Sequence, residues 1–229
     1  MSTIQANLIE PSSGTTVTLG ASGDTVAVGS GATASGFSGG LDSVQTFTSS
    51  GTWTRPSGIT KVIMEVQGAG GSGSEFGNHD YATAGSGGGY AKKLLDVSSI
   101  SSSTITVGAG GAAATTGAGS NGGLSSWADG TNTITGNGGT GGGTSVANTS
   151  IVGGSASGGD INITGAHGSG GSQGDGASHG SMFGFGTRRA WTGENQNPDA
   201  VGYGGGGAAG KDATSGAGGG GIVIVWEYK

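Results

Sequence analysis

Arginine, aromatic and amide side chains are gathered in one stretch of the chain, residues 182–203 (MFGFGTRRAWTGENQNPDAVGY). Arg188 and Arg189 carry planar guanidinium forks, which bind an acidic sugar or a phosphate through paired hydrogen bonds. Trp191 offers a flat face on which a pyranose ring can stack, and Phe183, Phe185 and Tyr203 extend that apolar surface. Asn195 and Asn197 add hydrogen bonds that depend on orientation. Arg, Trp and Tyr are the residue types that dominate binding hot spots, so the chemistry is recognition. The same aromatics would equally serve as a small core or a subunit interface between glycine layers, and the sequence leaves both readings open. A smaller island, Glu75 to Tyr81, supplies Phe76, His79 and Tyr81 as further binding candidates.

Nothing comparable points to catalysis. The chain has no cysteine, which removes thiolate nucleophiles and thiolate metal sites. Its three histidines, His79, His167 and His179, are scattered among glycine-rich or polar turns, and read as solvated side chains. Gly117 to Gly122 fits the dinucleotide fingerprint by letter, but no strong buried strand precedes it and no helix follows. Gly205 to Lys211 imitates a phosphate loop, yet the required Ser or Thr is Asp212. No nucleophile elbow lies between a strand and a helix. The expectation is a protein that is not an enzyme, with no catalytic residue, metal or cofactor.

The elements that must position these side chains follow from the glycine. It supplies 58 of the 229 residues, where average usage is about 7%. Each ordered glycine loses more backbone entropy than alanine, by roughly 0.5–1 kcal/mol. An ordered chain of this kind therefore needs something that rewards missing side chains. Close backbone approach does so, with polyproline-II-type (polyglycine II) segments packed side by side and bonded laterally. Between the glycine tracts lie short β-prone runs: Val44–Thr48, Thr52–Pro56, Thr60–Gln67, Tyr90–Val97, Thr104–Val107, Thr131–Thr135, Asp160–Thr164 and Ile222–Tyr228. In Thr60–Gln67 the alternation puts Val62, Met64 and Val66 on one face and Lys61, Glu65 and Gln67 on the other, with Ile63 breaking the polar side. The expected fold is all-β and irregular: a small β-sandwich-like scaffold joining Thr60–Gln67 and Ile222–Tyr228, glycine-rich segments running from it, and essentially no α-helix.

Residues 1–40 differ from residues 41–229. Val17-Thr18-Leu19-Gly20 recurs nine residues later as Val26-Ala27-Val28-Gly29. Two such units cannot bury a face by themselves, so this segment reads as an attachment stem or docking arm. The N-terminus has neither a basic n-region nor an apolar h-region. The run Ile222 to Trp226 is too short to span a bilayer, so no membrane insertion is expected. A net charge of −6 with eight scattered Lys and Arg lacks the basic footprint of a nucleic-acid binder.

From Ser49 to Val62 (SSGTWTRPSGITKV) and on through Val66-Gln67-Gly68-Ala69-Gly70-Gly71 the sequence resembles the glycine-rich domain of phage tail-fibre and tail-tip proteins of the adhesin type. Gly88-Gly89-Tyr90-Ala91-Lys92, Thr106-Val107-Gly108-Ala109-Gly110-Gly111 and Gly219-Gly220-Gly221-Ile222-Val223-Ile224 continue it in order over residues 45–229. The resemblance implies a virion component assembled in the host cytoplasm, often a homotrimer. Its expected partners are other virion proteins, copies of itself, and a host cell-surface glycan or protein. A fibre or capsid-decoration subunit with a purely structural role is the alternative.

Overall fold

The computed structural model describes residues 30, 40–75, 81–144, 151–172, 177–178, 180–187, 198–210 and 214–229. The chain divides into two units, Met1–Ser38 and Gly39–Lys229; all but one of the described residues belong to the second. That unit is all-β, with no helix among the described residues. Its strands are β1 (Leu41–Phe47), β2 (Gly51–Thr54), β3 (Lys61–Gln67), β4 (Tyr81–Thr83), β5 (Tyr90–Asp96), β6 (Ser102–Thr106), β7 (Ser125–Ala128), β8 (Thr133–Gly136), β9 (Ala156–Ser157), β10 (Ile161–Ile163), β11 (Gly170–Ser172), β12 (Phe183–Phe185), β13 (Val201–Tyr203) and β14 (Ile222–Tyr228).

Two five-stranded antiparallel sheets, β1-β14-β3-β5-β10 and β2-β6-β7-β8-β9, enclose the hydrophobic core. The two strands with the clearest sequence signal are direct neighbours: β14 pairs with β3 from Ile222↔Gln67 to Tyr228↔Lys61. Val62, Met64 and Val66 face inward as the alternation predicts, and meet Val223, Val225, Ile105 and Ile134. Trp53 and Trp127 fill the centre, ring centroids 6.2 Å apart. Glu227 lies fully buried at one end of this core. It accepts hydrogen bonds from Trp53 Nε1 at 2.7 Å, from Gln45 Nε2 at 2.7 Å and from the Ser43 hydroxyl.

The expected polar face of β3 is not a solvated one. Gln67 is fully buried and Glu65 nearly so. Neighbouring strands explain this, because Trp226 of β14 and Tyr90 of β5 lean over the carboxylate. Glu65 accepts from Tyr90 Oη at 2.9 Å and Trp226 Nε1 at 3.1 Å, and pairs with Lys92 Nζ at 3.1 Å. Burial alone would push its pKa up, but the bonds from Trp226, Lys92 and Tyr90 hold it below the ordinary 4.5. A carboxyl depressed in the folded state stabilises the fold above its unfolded pKa, and that contribution is lost as pH falls below about 4.5. Melting temperature followed from pH 6 to pH 3 should therefore fall more steeply for the wild type than for Glu65→Gln.

Beyond Gln67 the chain enters the glycine tracts, and their hydrogen bonding has a strict period of three. The N–H groups of Gly68, Gly71 and Ser74 donate to the carbonyls of Gly89, Ser86 and Thr83; those of Ala69, Ser72 and Glu75 to Gly123, Ser120 and Gly117; those of Gly70 and Gly73 to Gly219 and Gly216. Every third donor thus turns to the same neighbouring tract, the three-residue repeat expected of polyproline-II-type packing. The carbonyls radiate likewise: Ala69 and Ser72 accept from Gly139 and Gly142, Gly71 and Ser74 from Gly207 and Gly210, and Gly70 from Gly111. Residues 68–75 are therefore enclosed by three antiparallel tracts on their donor side and three parallel tracts on their acceptor side. The separation between tracts is that of backbone on backbone. A Cβ built on Gly70 would overlap the carbonyl oxygen of Gly205, and one on Gly73 that of Ala208. Serine hydroxyls add further bridges between tracts. Ser215 Oγ accepts from Ala114 N at 2.8 Å and donates to Gly73 O at 2.6 Å. Ser86 Oγ accepts from Thr140 N and donates to Val152 O, both at 2.8 Å.

Candidate functional site

The island at 182–203 emerges from this glycine framework as a two-stranded ribbon. β12 pairs antiparallel with β13 in the register Phe183↔Tyr203, Gly184↔Gly202, Phe185↔Val201. Strand alternation then puts Phe183, Phe185, Val201 and Tyr203 on one face and both glycines on the other. The glycine face is pressed against backbone: a Cβ on Gly184 would crowd the main chain at Tyr203. Gly202 takes φ +82°, a conformation that a side chain would strain.

The ribbon's base is fastened on several sides. Ser181 Oγ donates to the Tyr203 carbonyl, and Ser181 N to Gly184 O at 2.7 Å. Ser178 Oγ accepts from Thr187 N at 2.6 Å and directs its single proton at Gly206 O, 2.7 Å away, with Thr187 O also within 2.8 Å. Asp199 accepts from Ala217 N at 2.7 Å. Phe183 packs edge-on against Tyr90, centroids 5.6 Å apart at 68°. The Tyr90 hydroxyl is in turn held by Glu65; burial first, then that carboxylate, push its phenol well above its usual range.

The outer half of the ribbon face is open. Phe185 is 77% exposed and Val201 61% exposed, with Tyr203 and Met182 also exposed. Beside Phe183 runs a groove of about 300 Å³ lined by Gly88, Tyr90, Ile163, Thr164, Gly165, Ala166, Gly180, Ser181 and Met182. Of the predicted binding residues, the structure brings Phe183, Phe185 and Tyr203 onto this one face. Arg188, Arg189, Trp191, Asn195 and Asn197 belong to the connection between β12 and β13 and lie outside the described residues, as do Phe76 and His79. Tyr81 is exposed at the start of β4, which pairs with β11 and not with the ribbon. Tyr90 and Ile163 were missed as groove residues. Their signal was present in the opening of an apolar strand directly after Gly88-Gly89, and in an isoleucine at an exposed strand end.

A second, polar hollow of about 440 Å³ lies between Asp96 and Asp129. Both carboxylates are already engaged by their own turns. Asp96 accepts from Ser98 N at 2.9 Å, and this backbone bond lowers its pKa. Asp129 accepts from Thr131 N at 2.7 Å and Asn132 N at 2.6 Å. Burial pushes its pKa up, and the bonds from Asn132 and Thr131 more than reverse that. Among the described residues no group of three or more His, Cys, Asp or Glu converges to hold a metal ion. What the arrangement offers chemically is a rigidly mounted apolar and aromatic surface.

A family model described as a glycine-rich domain matches residues 42–228. No curated protein matches the chain.

Proposed function

The chain belongs to the glycine-rich domain family, and from that premise we propose that it is a virion structural protein: a phage tail-fibre or tip subunit that binds a host-surface glycan or protein. The observation that carries the reading is the β12–β13 ribbon, whose aromatic face stays open to solvent while its base is bonded into the glycine lattice. Recognition residues are characteristically loops on a rigid scaffold, and a lattice that cannot rearrange holds such a surface at little entropic cost to binding. In this reading residues 1–40 attach the subunit to other virion proteins. The particle assembles in the host cytoplasm, copies of the chain associate as a homotrimer, and the protein performs no catalysis, binds no nucleic acid and inserts into no membrane. In this reading Arg188, Arg189 and Trp191, with Asn195 and Asn197, contribute polar and stacking contacts to the receptor.

The test is adsorption of the purified protein to cells of the strain the phage infects. Phe185→Ser removes a side chain that is largely exposed, so stability should stay within the small range of surface substitutions, about 0.5 kcal/mol. Trp191→Ala should weaken adsorption by about 2 kcal/mol, roughly 30-fold, if it is a hot spot. Loss of stability with adsorption per folded molecule unchanged would assign these aromatics to a core and end the receptor reading. A purely structural subunit is favoured by one observation, the half-burial of Phe183 on Tyr90, and it predicts no adsorption by the wild type at all.

A further inference from the structure

The hydrogen bonds of an antiparallel pair lie across the strands. Pulling the two strands past one another along their length loads all of these bonds together, whereas peeling one strand from an end loads them one at a time. Where a force enters decides between the two. β1 stands at the edge of its sheet and has β14 as its one neighbouring strand. Its first residue, Leu41, faces Tyr228, and its last, Phe47, faces Val223. Residues 1–40 therefore join the sheet at the end where β14 finishes, and there Lys229 N donates to Gly40 O at 3.4 Å.

The ribbon is tied in at the opposite end. On either side of β13, Ala200 N donates to Ala217 O at 2.9 Å and Gly204 N to Gly220 O at 2.8 Å, while Asp199 accepts from Ala217 N at 2.7 Å. The tract they grip runs directly into β14 at Ile222. A force between residues 1–40 and the ribbon thus draws β1 by its first residue and β14 by its first residue, which lie at opposite ends of the pair. The strands are loaded to slide. Side chains oppose that sliding. Glu227, fully buried in β14, accepts from Ser43 Oγ and from Gln45 Nε2 at 2.7 Å, two residues of β1 on one face. Its bond from Trp53 Nε1 fixes it to the second sheet. A slip of one residue turns every side chain of β1 to the wrong face. A slip of two carries Ser43 off the carboxylate and puts Phe47 where Gln45 stood.

We infer that the β1–β14 pair, locked by Glu227, is the tension-bearing joint of this molecule, carrying in shear the pull between the attachment segment and a host-bound ribbon. That the load runs in this direction rests on the function proposed above. The resistance to it is a property of the strand pair, and forced unfolding is governed by the rate at which such a joint opens.

The chain has no cysteine, so introduced pairs define where force enters in single-molecule pulling of the full-length protein. Gly40→Cys with Val201→Cys, both at exposed positions, loads β1 against β14 in shear. Gly40→Cys with a cysteine appended after Lys229 peels the same strands from their open end. At equal pulling speed the first pair should rupture at a several-fold higher force, with β1 leaving in the first event, as read from the length of chain freed. Adding Ser43→Ala and Gln45→Ala should lower the force for the first pair and change that for the second much less. Cell adsorption plays no part in these measurements, so failure of the receptor reading and failure of the joint are seen separately. Equal forces in the two directions overturn the inference. So does release of the ribbon before β1, or a shear force that Ser43→Ala with Gln45→Ala leaves unchanged.

Discussion

Replacing Gly70 by alanine should destabilise the protein by at least about 3 kcal/mol, although a single methyl group is added. Gly70 sits in the enclosed tract 68–75, and its Cβ would occupy the space of the Gly205 carbonyl. Overpacking a well-filled core costs roughly 1–3 kcal/mol when side chains can adjust. Here the opposing atom is main chain, and Gly70 itself bonds to Gly219 and Gly111. Moving the tract aside leaves buried N–H and C=O groups unpaired, at about 1–3 kcal/mol each. For a chain of this length, 3 kcal/mol lowers the melting temperature by roughly 6–12 °C. Gly51 is the matched control, since a Cβ there meets nothing within 4 Å and its φ is not positive. Gly51→Ala should be neutral or stabilising by about 0.4–1 kcal/mol, because it removes entropy from the unfolded chain alone. Equal effects at the two positions in urea denaturation would mean that glycine does not act through close approach.

How glycine would act was legible in the sequence; which tract would lie beside which was not. A run such as Gly-Ala-Gly-Gly carries no side-chain code for its partner, and the bonds from Gly70 to Gly219 and from Gly68 to Gly89 are settled by where the strands deliver the chain. The strands themselves were read well where an apolar run was long. β3 and β14 appear within a residue of their expected limits, whereas β7 (Ser125–Ala128) went unseen because four residues, two of them serine, show no alternation. Its Trp127 nevertheless fills the core. Polarity misled at Glu65 and Gln67, because a residue's own alternation says nothing of what the adjacent strand lays over it.

At the candidate site, residue types were legible but geometry was not. Phe183, Phe185 and Tyr203 read as a binding group from composition. That they share one face depends on the pairing of Gly184 with Gly202, which two isolated glycines among so many do not announce. The groove beside them joins Gly88, Ile163 and Met182, residues brought together only by the pairing of β10 with β5 and the course of the lattice.

Glu227→Leu should destabilise the protein although it replaces a polar core residue with an apolar one of similar size. The side chain is fully buried and gathers hydrogen bonds from Trp53, Gln45 and Ser43. Leucine fills a similar volume but accepts nothing, so the Trp53 N–H is left without a partner in the core. Among the described residues, this interior already buries Trp127 Nε1 and the Ser103 hydroxyl without hydrogen bonds, and another orphan adds to that cost. Leaving a buried donor without its partner costs about 1–3 kcal/mol, a noticeable part of the 5–15 kcal/mol that holds a typical domain folded. Gln45→Ala and Ser43→Ala, at half-buried positions where water can replace the lost bond, should cost about 1 kcal/mol or less. Trp53→Phe removes the donor and keeps most of the ring, so a cycle of Trp53→Phe, Glu227→Leu and the double variant isolates the pair. Neighbours in one buried network couple by about 0.5–3 kcal/mol, and the double variant should be more stable than the sum of the single losses predicts. Strict additivity in that cycle would show that Glu227 acts by filling space, with no energetic tie to the indole beside it.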